Sequence, residues 1–259
     1  MRAHTLASLF PLFALAACGG GGDKEPQHLQ GLWYGLGTVD LSTYVSPYVL
    51  TQAGRELILT SCNRSTTTLR LDGETLKLPD GSAFYVQPAG DILMRGTHRA
   101  SVDEWRRFST GTLFESGRVA LSVPSVAPLQ ASQDVCAEKT GQVYRLADGT
   151  DALGADILVT APHAGSHMQV RMSFASVRAG EFVARDRNGF LQNFGTSVLV
   201  ELQSPAFAAA YGGNTLKIGA GTLRVGVAAN GTYTFEGVLA TESGAQVPFS
   251  AELMLERRP

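Results

Sequence analysis

Runs of alternating apolar and polar residues, separated by turn signals, make up most of the chain. The runs are rich in Leu, Val, Thr, Phe and Tyr, and this composition and period are typical of antiparallel strands. The turn dipeptides between them are DG at Asp72, Asp80 and Asp148, NG at Asn188 and Asn230, and GG at Gly212. The pattern therefore predicts an all-β protein, either an antiparallel β-sandwich or a barrel.

One predicted hairpin is TTTLRLDGETLKL, which begins at Thr66. A two-residue turn at Asp72 and Gly73 separates its apolar and polar side chains onto opposite faces. The apolar face holds Leu69, Leu71, Leu76 and Leu78, and the polar face holds Arg70, Thr75 and Lys77. We therefore expect one face to pack against a core and the other to stay in water.

A second predicted hairpin is LRVGVAANGTYTFEG. A strict two-residue turn at Asn230 and Gly231 places Val225 on the face of Glu236. A one-residue bulge, with Gly231 in a left-handed conformation, aligns Val225 with Phe235 instead. We favour the bulge because it brings apolar side chains onto the same face.

Two short helices are predicted within the β pattern. In SVDEWRRF, Ser101 and Glu104 three residues later form a capping box. In SPAFAAAYGG, Ser204 is the cap, Pro205 takes the first helical position and Gly212 ends the helix. Because each helix is short, we expect each to lie across a sheet or to close the end of a barrel.

Residues 146–154 are the best candidate for a domain boundary, because Asp148, Gly149 and Asp151 lie there between two strand-like runs. The boundary gives one β unit at residues 31–147 and a second at residues 152–259. The alternative is one continuous β domain at residues 31–259, since all-β domains often exceed about 200 residues.

The N-terminus follows the plan of an export signal, with Arg2 as the positive flank and an apolar core at residues 6–15. This core is too short for a membrane-spanning helix, which needs about 20 apolar residues. The sequence LAAC at residues 15–18 resembles the lipobox of bacterial lipoproteins. The resemblance implies that residues 1–17 are removed and that Cys18 carries diacylglycerol and an acyl chain such as palmitate, which anchor the protein in a membrane. The alternative is an ordinary secretory signal followed by a free cysteine.

Glycine follows the lipobox cysteine at position 19. In Gram-negative lipoproteins an aspartate at that position favours retention in the inner membrane, so the resemblance implies the outer membrane. Residues 18–30 are polar and rich in glycine, which predicts a flexible tether that holds the folded part away from the lipid surface.

The charge balance argues against nucleic acid as a partner. The chain has 21 Lys and Arg against 23 Asp and Glu, and Arg2 is the one charged residue within residues 1–17. Removal of the signal therefore leaves 20 basic and 23 acidic residues, a net charge of −3, and no basic run is present. Neither a phosphate loop nor a dinucleotide fingerprint occurs, so the sequence predicts no cofactor.

Cys62 and Cys136 remain as a pair once Cys18 is assigned to lipid. In the oxidising compartment of an exported protein, the expected state of such a pair is a disulfide. The alternative is two reduced thiols that bind a metal, although these cysteines lack close spacing and companion histidines.

The stretch GLWYGLG begins at Gly31 and contains Gly-X-Trp at the start of the first predicted strand. It resembles the start of lipocalin-like barrels, in which the tryptophan closes one barrel end and an arginine on the last strand can pack across it. The resemblance implies that Trp33 and Tyr34 lie near a small apolar ligand, and that Arg257 or Arg258 supplies the arginine. The alternative is a core tryptophan with no ligand nearby.

The stretch PHAGSHM places His163 and His167 four residues apart, with Ser166 between them. On a helix both imidazoles would share one face and could bind a metal, but Pro162 and Gly165 favour a loop. Ser166 as a nucleophile would need a base and oxyanion donors, and no GxSxG elbow surrounds it. A metal site at the two histidines is therefore a secondary hypothesis.

DEWRR, at residues 103–107, combines carboxylates, an indole and guanidinium groups that could hold a sugar or an anion beside Trp105. The alternative is a capped, solvated helix whose Trp105 and Phe108 pack onto the body of the protein. Trp105 is a candidate ligand contact under the first hypothesis and a core residue under the second.

Three functions remain open from the sequence. The working hypothesis is a lipid-anchored, non-enzymatic module that binds an envelope macromolecule. A lipocalin-like carrier of a small apolar ligand is the main alternative, and a hydrolase of unknown substrate is the third. A deep apolar cavity would favour the carrier, a cleft with titratable groups the enzyme, and a filled core with an exposed patch the interaction module.

Overall fold

Eighteen β-strands and two short α-helices form the part of the chain that the structure describes, which comprises residues 29–39, 42–86, 92–95 and 103–255. This computed structural model confirms the all-β prediction, with curled antiparallel and mixed sheets in a sandwich-like or half-barrel arrangement. Several predicted features lie outside the described residues, namely Cys18 and the rest of residues 1–28, Ser101, Arg257 and Arg258.

The first eight strands form a closed ladder that we call the N-terminal barrel. They are β1 Gly31–Val39, β2 Ser42–Ala53, β3 Glu56–Ser61, β4 Thr66–Asp72, β5 Thr75–Lys77, β6 Ala83–Val86, β7 Ile92–Arg95 and β8 Asp103–Ser109. Each strand pairs antiparallel with the next, and β8 pairs with β1 to complete the circle. The barrel therefore has no free edge within its ladder.

The hairpin of β4 and β5 has the predicted faces but a shifted turn. Leu71 pairs with Leu76, so the two turn residues are Gly73 and Glu74, one position later than predicted. Gly73 has a φ of 62°, a left-handed conformation that suits glycine. Because the pairing moves by two residues on the opposite strand, every side chain keeps its face, and Leu69, Leu71 and Leu76 are buried as predicted.

The helix predicted at SVDEWRRF is wrong, because residues 103–109 form the strand β8. This segment also has a two-residue alternation, in which Trp105 is buried and Arg106 is exposed. In the folded chain β8 pairs with β1 on one side and β7 on the other. These two ladders outweigh a local capping signal, which is a weak preference by comparison.

The remaining strands form what we call the C-terminal sheet. They are β9 Gly117–Leu121, β10 Leu129–Ala131, β11 Cys136–Arg145, β12 Asp151–His163, β13 Ser166–Phe174, β14 Gly180–Ala184, β15 Ser197–Gln203, β16 Thr215–Val227, β17 Thr232–Thr241 and β18 Gln246–Met254. The strands lie in the order β11, β12, β13, β15, β16, β17, β18, β9 and β10. Strand β14 lies beside β15 and β16, and its pairing with β15 is parallel.

The largest hydrophobic core lies inside the C-terminal sheet, and it includes buried side chains from Val119 to Leu255. The predicted bulge in the β16–β17 hairpin is confirmed, because Val225 pairs with Phe235 and Gly231 has a φ of 81°. Both Val225 and Phe235 are buried in this core. The one-residue bulge therefore places the apolar faces of both strands inward.

The described helices are α1 at Arg187–Gln192 and α2 at Phe207–Tyr211. Helix α2 confirms the second helix prediction, although it begins after Ala206, and it ends at Gly212 in the left-handed conformation. Helix α1 was missed because the NG dipeptide at Asn188 suggested a turn. It is capped by Asp186, whose carboxylate accepts a hydrogen bond of 2.7 Å from the Gly189 backbone N–H.

The Cys62–Cys136 disulfide is present and joins the N-terminal barrel to β11. Arg64 lies beside it and contacts Asp134 twice, through a carboxylate oxygen at 3.0 Å and through the carbonyl oxygen at 2.8 Å. The Arg64 guanidinium also lies 4.8 Å from the centre of the Phe114 ring. The barrel and the sheet are therefore held together by a covalent bond and an adjacent cluster of polar and cation–π contacts.

Residues 146–150, within the predicted domain boundary, form the turn of the β11–β12 hairpin. The two strands pair from Arg145 opposite Asp151 to Cys136 opposite Thr160. The division into units at residues 31–147 and 152–259 stays a prediction.

Candidate functional site

A trough of about 550 Å³ lies on the outer face of the C-terminal sheet. We call it the outer trough, and its lining residues are 118–120, 130–132 and 250–252 together with Thr234 and Glu236. It crosses β10, β9, β18 and β17, which are neighbours in the sheet. The outer trough is therefore built from segments that are far apart in sequence.

Small side chains at the centre of one cross-strand row create the depression. Gln130 pairs with Ala120, Ala120 pairs with Ser250, and Ser250 pairs with Glu236. The inward-facing neighbours such as Val119 are buried in the core, so this row points to the outer face. Because Ala120 and Ser250 are short, the longer Gln130 and Glu236 rise on either side of them as walls.

One end of the outer trough is charged. Arg118 pairs with Glu252 across β9 and β18, with 2.5 Å between the guanidinium and the carboxylate. Within the described part of the chain, no cationic group lies within ion-pair distance of Glu236, although Arg224 is directly opposite it on β16. The trough therefore contains one neutralised acid and one acid that is free to accept a cation.

The other end of the outer trough is apolar. A second depression of about 220 Å³ continues from it and shares Ala120, Gln130 and Ser250. Pro128 and Pro248 border this extension. Val238, which pairs with Pro248, is 50% exposed. The outer face therefore changes from charged to apolar along a single continuous groove.

Sequence reasoning missed the outer trough. Its acids, hydroxyls and amide form no local motif, and its two halves become neighbours only when β9 pairs with β18. The lining of both depressions includes neither histidine nor cysteine. This arrangement can form hydrogen bonds and ion pairs with a ligand along an extended surface.

Trp33 lies inside the N-terminal barrel and is fully buried. Its indole Nε1–H donates a hydrogen bond of 2.9 Å to the carbonyl oxygen of Leu29. The guanidinium carbon of Arg107, on β8, lies 5.4 Å from the centre of the Trp33 ring. Arg107, on the last strand of the N-terminal barrel, therefore packs across Trp33, while the predicted Arg257 and Arg258 lie outside the described residues.

Tyr34 lies on the opposite face of β1 and packs in the cluster around the disulfide. Trp105 is inside the barrel, where it stacks on Tyr48 at a centroid distance of 4.3 Å and contacts Phe84 at 4.5 Å. A Cβ at Gly35 would lie 3.0 Å from the Trp105 Nε1, so the missing side chain makes room for the indole. The structure brings Trp33 and Trp105 into one core and leaves Tyr34 outside it.

His163 and His167 are not brought together. They lie in the β12–β13 hairpin, where His163 faces the core side and His167 the outer side. The His163 Nε2–H donates to the carbonyl oxygen of Ala127 at 2.7 Å, and its Nδ1 lies 3.4 Å from the Ser204 Oγ. Both His163 and Ser204 are buried, so this pair connects three chain segments at one end of the sheet.

A polar cluster on the outer face of β11, β12 and β13 was also missed. The Tyr144 hydroxyl donates a hydrogen bond to the Asp156 carboxylate. Burial, together with this bond, raises the pKa of Tyr144 above its ordinary value. Burial likewise raises the pKa of Glu138, and the nearby Arg171 partly opposes that shift. These groups lie on neighbouring strands, so only the sheet register brings them together.

We predict that Glu138→Gln raises the thermal stability at pH 7 and has little effect near pH 4. Folding raises the pKa of the Glu138 carboxyl. The contribution of such a group to stability is complete only below its pKa in the unfolded chain, about 4.3. That contribution is lost as the pH rises through the folded pKa, and the amide avoids the cost of a buried charge. Melting temperatures at the two pH values test this, with the exposed Glu181→Gln as the control. A gain at pH 4 as large as that at pH 7 would contradict the burial argument.

No helix in residues 29–39, 42–86, 92–95 and 103–255 is long and apolar enough to cross a membrane. Those residues also contain no group of three or more His, Cys, Asp or Glu side chains arranged to hold a metal ion. We compared the chain with protein-family models, with curated proteins and with solved structures, and none of the three comparisons returned a match.

Proposed function

We propose that this protein is a lipid-anchored, non-enzymatic binding module of the bacterial outer membrane, and that the outer trough is its contact surface. The observation that supports the proposal is the trough itself, a continuous groove with a charged end and an apolar end on a sheet that encloses a hydrophobic core. A large concave surface with hydrogen-bonding groups is the kind of site at which a ligand or partner binds.

The sequence LAAC at residues 15–18, which resembles a lipobox, and the short apolar run before it support the lipid anchor. Two or more acyl chains on Cys18 would hold the protein stably in a membrane, whereas one chain would not. Ten residues, 19–28, separate Cys18 from Leu29, the first described residue. In a flexible tether of that length the folded part stays within roughly 20 Å of the lipid surface on average. A partner of the outer trough would therefore be another component of the envelope.

A second candidate function is a carrier of a small apolar ligand. Two observations favour it: the N-terminal barrel closes with eight strands, and Arg107 lies over Trp33 at its end. The packing of the described barrel interior argues against a carrier, because Trp33, Phe84 and Trp105 are buried there together with leucines. A carrier needs space for its ligand, so this packing among the described interior residues favours the binding module.

Cys18→Ser tests the lipid anchor. We expect the wild-type protein to sediment with outer membranes and the exported variant to be soluble, since serine cannot receive the thioether-linked lipid. A matched control is Gly19→Asp, which should stay in the membrane fraction but move towards the inner membrane. An exported, correctly folded Cys18→Ser variant that remains bound to membranes would contradict the lipid anchor.

The same soluble variant can be examined by native mass spectrometry. The binding module predicts the mass of the bare oxidised chain. Additional mass that disappears on denaturation would instead support the carrier and would identify its ligand by mass.

A further inference from the structure

We propose that the outer trough binds an extended polypeptide segment of its partner, with one basic side chain of that segment at Glu236 and an apolar side chain near Pro128 and Pro248. The inference rests on the proposed binding function and adds the chemistry of the ligand to it. Four features of the trough support it: the exposed backbone, the length of the groove, its charge and its apolar end.

The backbone contributes to the surface of the outer trough. The trough is lined by three consecutive residues of β9, three of β18 and residues 130–132. Because side chains alternate between the two faces of a strand, the middle residue of each set of three contributes its backbone to the surface. Within the described residues, β10 forms a ladder with β9, and part of β12 packs near it. A short strand at the margin of a groove offers main-chain donors and acceptors to an extended chain, which is how added strands bind to sheets.

The length of the groove fits a short peptide segment. Glu252 marks its charged end and Pro248 its apolar end, and the two are four residues apart on β18. At a rise of about 3.4 Å per residue this separation is about 14 Å. Four or five residues of an extended chain span the same distance. The small Ala120 and Ser250 between the two ends allow a backbone to approach the floor.

The charges select a basic side chain. Arg118 is already paired with Glu252. Among the described residues the Glu236 carboxylate has no ion-pair partner, so the lining carries one uncompensated negative charge. A lysine or arginine on the bound segment would complete the pair. The apolar side chain of the segment would then cover Pro248 and the half-exposed Val238.

The test uses the full exported chain with Cys18→Ser and a phage-displayed library of random hexapeptides. Selection on this protein, with counter-selection on the same chain carrying Ser250→Trp, should enrich peptides that contain one Lys or Arg beside apolar residues. Ser250 is exposed on the outer face, so the indole fills the groove without entering the core. An equal melting temperature for the two proteins confirms that the blocked variant is folded.

The enriched peptide is then titrated against two charge variants. Glu236→Gln should weaken its binding about two- to fivefold, the effect of one exposed ion pair, and salt should reduce the difference. Glu56→Gln removes the same charge from an exposed position on β3 of the N-terminal barrel, outside the lining of the groove, and should leave the affinity unchanged. The proposal is overturned if selection yields no enrichment over the Ser250→Trp protein, or if both glutamine variants behave alike. Either result leaves the membrane fractionation of Cys18→Ser unaffected, so the two proposals fail separately.

Discussion

Replacing Cys62 and Cys136 together by alanine should lower the free energy of unfolding by about 4 kcal/mol. The two cysteines are 74 residues apart in sequence, and closing a loop of that length restricts the unfolded chain by about this amount. Both residues are fully buried, so alanine is preferable to serine, whose hydroxyl would lack a partner there. The loss should appear as a lower denaturant midpoint in urea unfolding.

Both proteins carry Cys18→Ser, so that parent and double variant are compared in the same soluble form and Cys62 and Cys136 are the two cysteines of the parent. A reducing agent should shift the urea midpoint of the parent towards that of the double variant and leave the double variant unchanged. We expect the double variant to fold, because Arg64 still contacts Asp134 and Phe114 beside the missing bond. A loss below about 1 kcal/mol would mean that the unfolded chain gains little freedom when the loop is opened.

Hairpins were predictable from the sequence because their strands and turns are adjacent in the chain. The alternation of leucines around Gly73 placed the buried face correctly even though the turn lies one residue later. The bulge at Gly231 was predictable for the same reason, since only one register brings Val225 opposite Phe235. Local pattern and turn chemistry agree in both segments, and the fold follows them.

The strand β8 and the outer trough depend on contacts that no local pattern encodes. The segment at Trp105 has helix-capping signals and strand alternation together, and its ladders with β1 and β7 decide between them. Gln130, Ala120, Ser250 and Glu236 become one row through the pairing of β10, β9, β18 and β17. The chemistry of such a surface can be predicted only after the strand order is known.

Trp33→Ala should destabilise the N-terminal barrel by about 3 to 5 kcal/mol, the usual cost of removing a fully buried tryptophan. The substitution leaves a cavity, and the carbonyl oxygen of Leu29 loses its hydrogen bond. Trp33→Phe fills part of the space and should cost less. Tryptophan fluorescence reports on the barrel alone, because Trp33 and Trp105 are the two tryptophans of the chain and both lie in the barrel core.

Phe207→Ala is the matched substitution in the other core, since Phe207 is fully buried within the C-terminal sheet. Unfolding of each variant is followed by Trp105 fluorescence and by far-ultraviolet circular dichroism, which reports on all strands. If the barrel and the sheet are separate units, Trp33→Ala shifts the fluorescence transition. Phe207→Ala then shifts the part of the dichroism transition that does not coincide with the fluorescence change. Coincident transitions in both variants would mean one cooperative domain. Separate transitions would support two units, the barrel and the sheet that carries the outer trough.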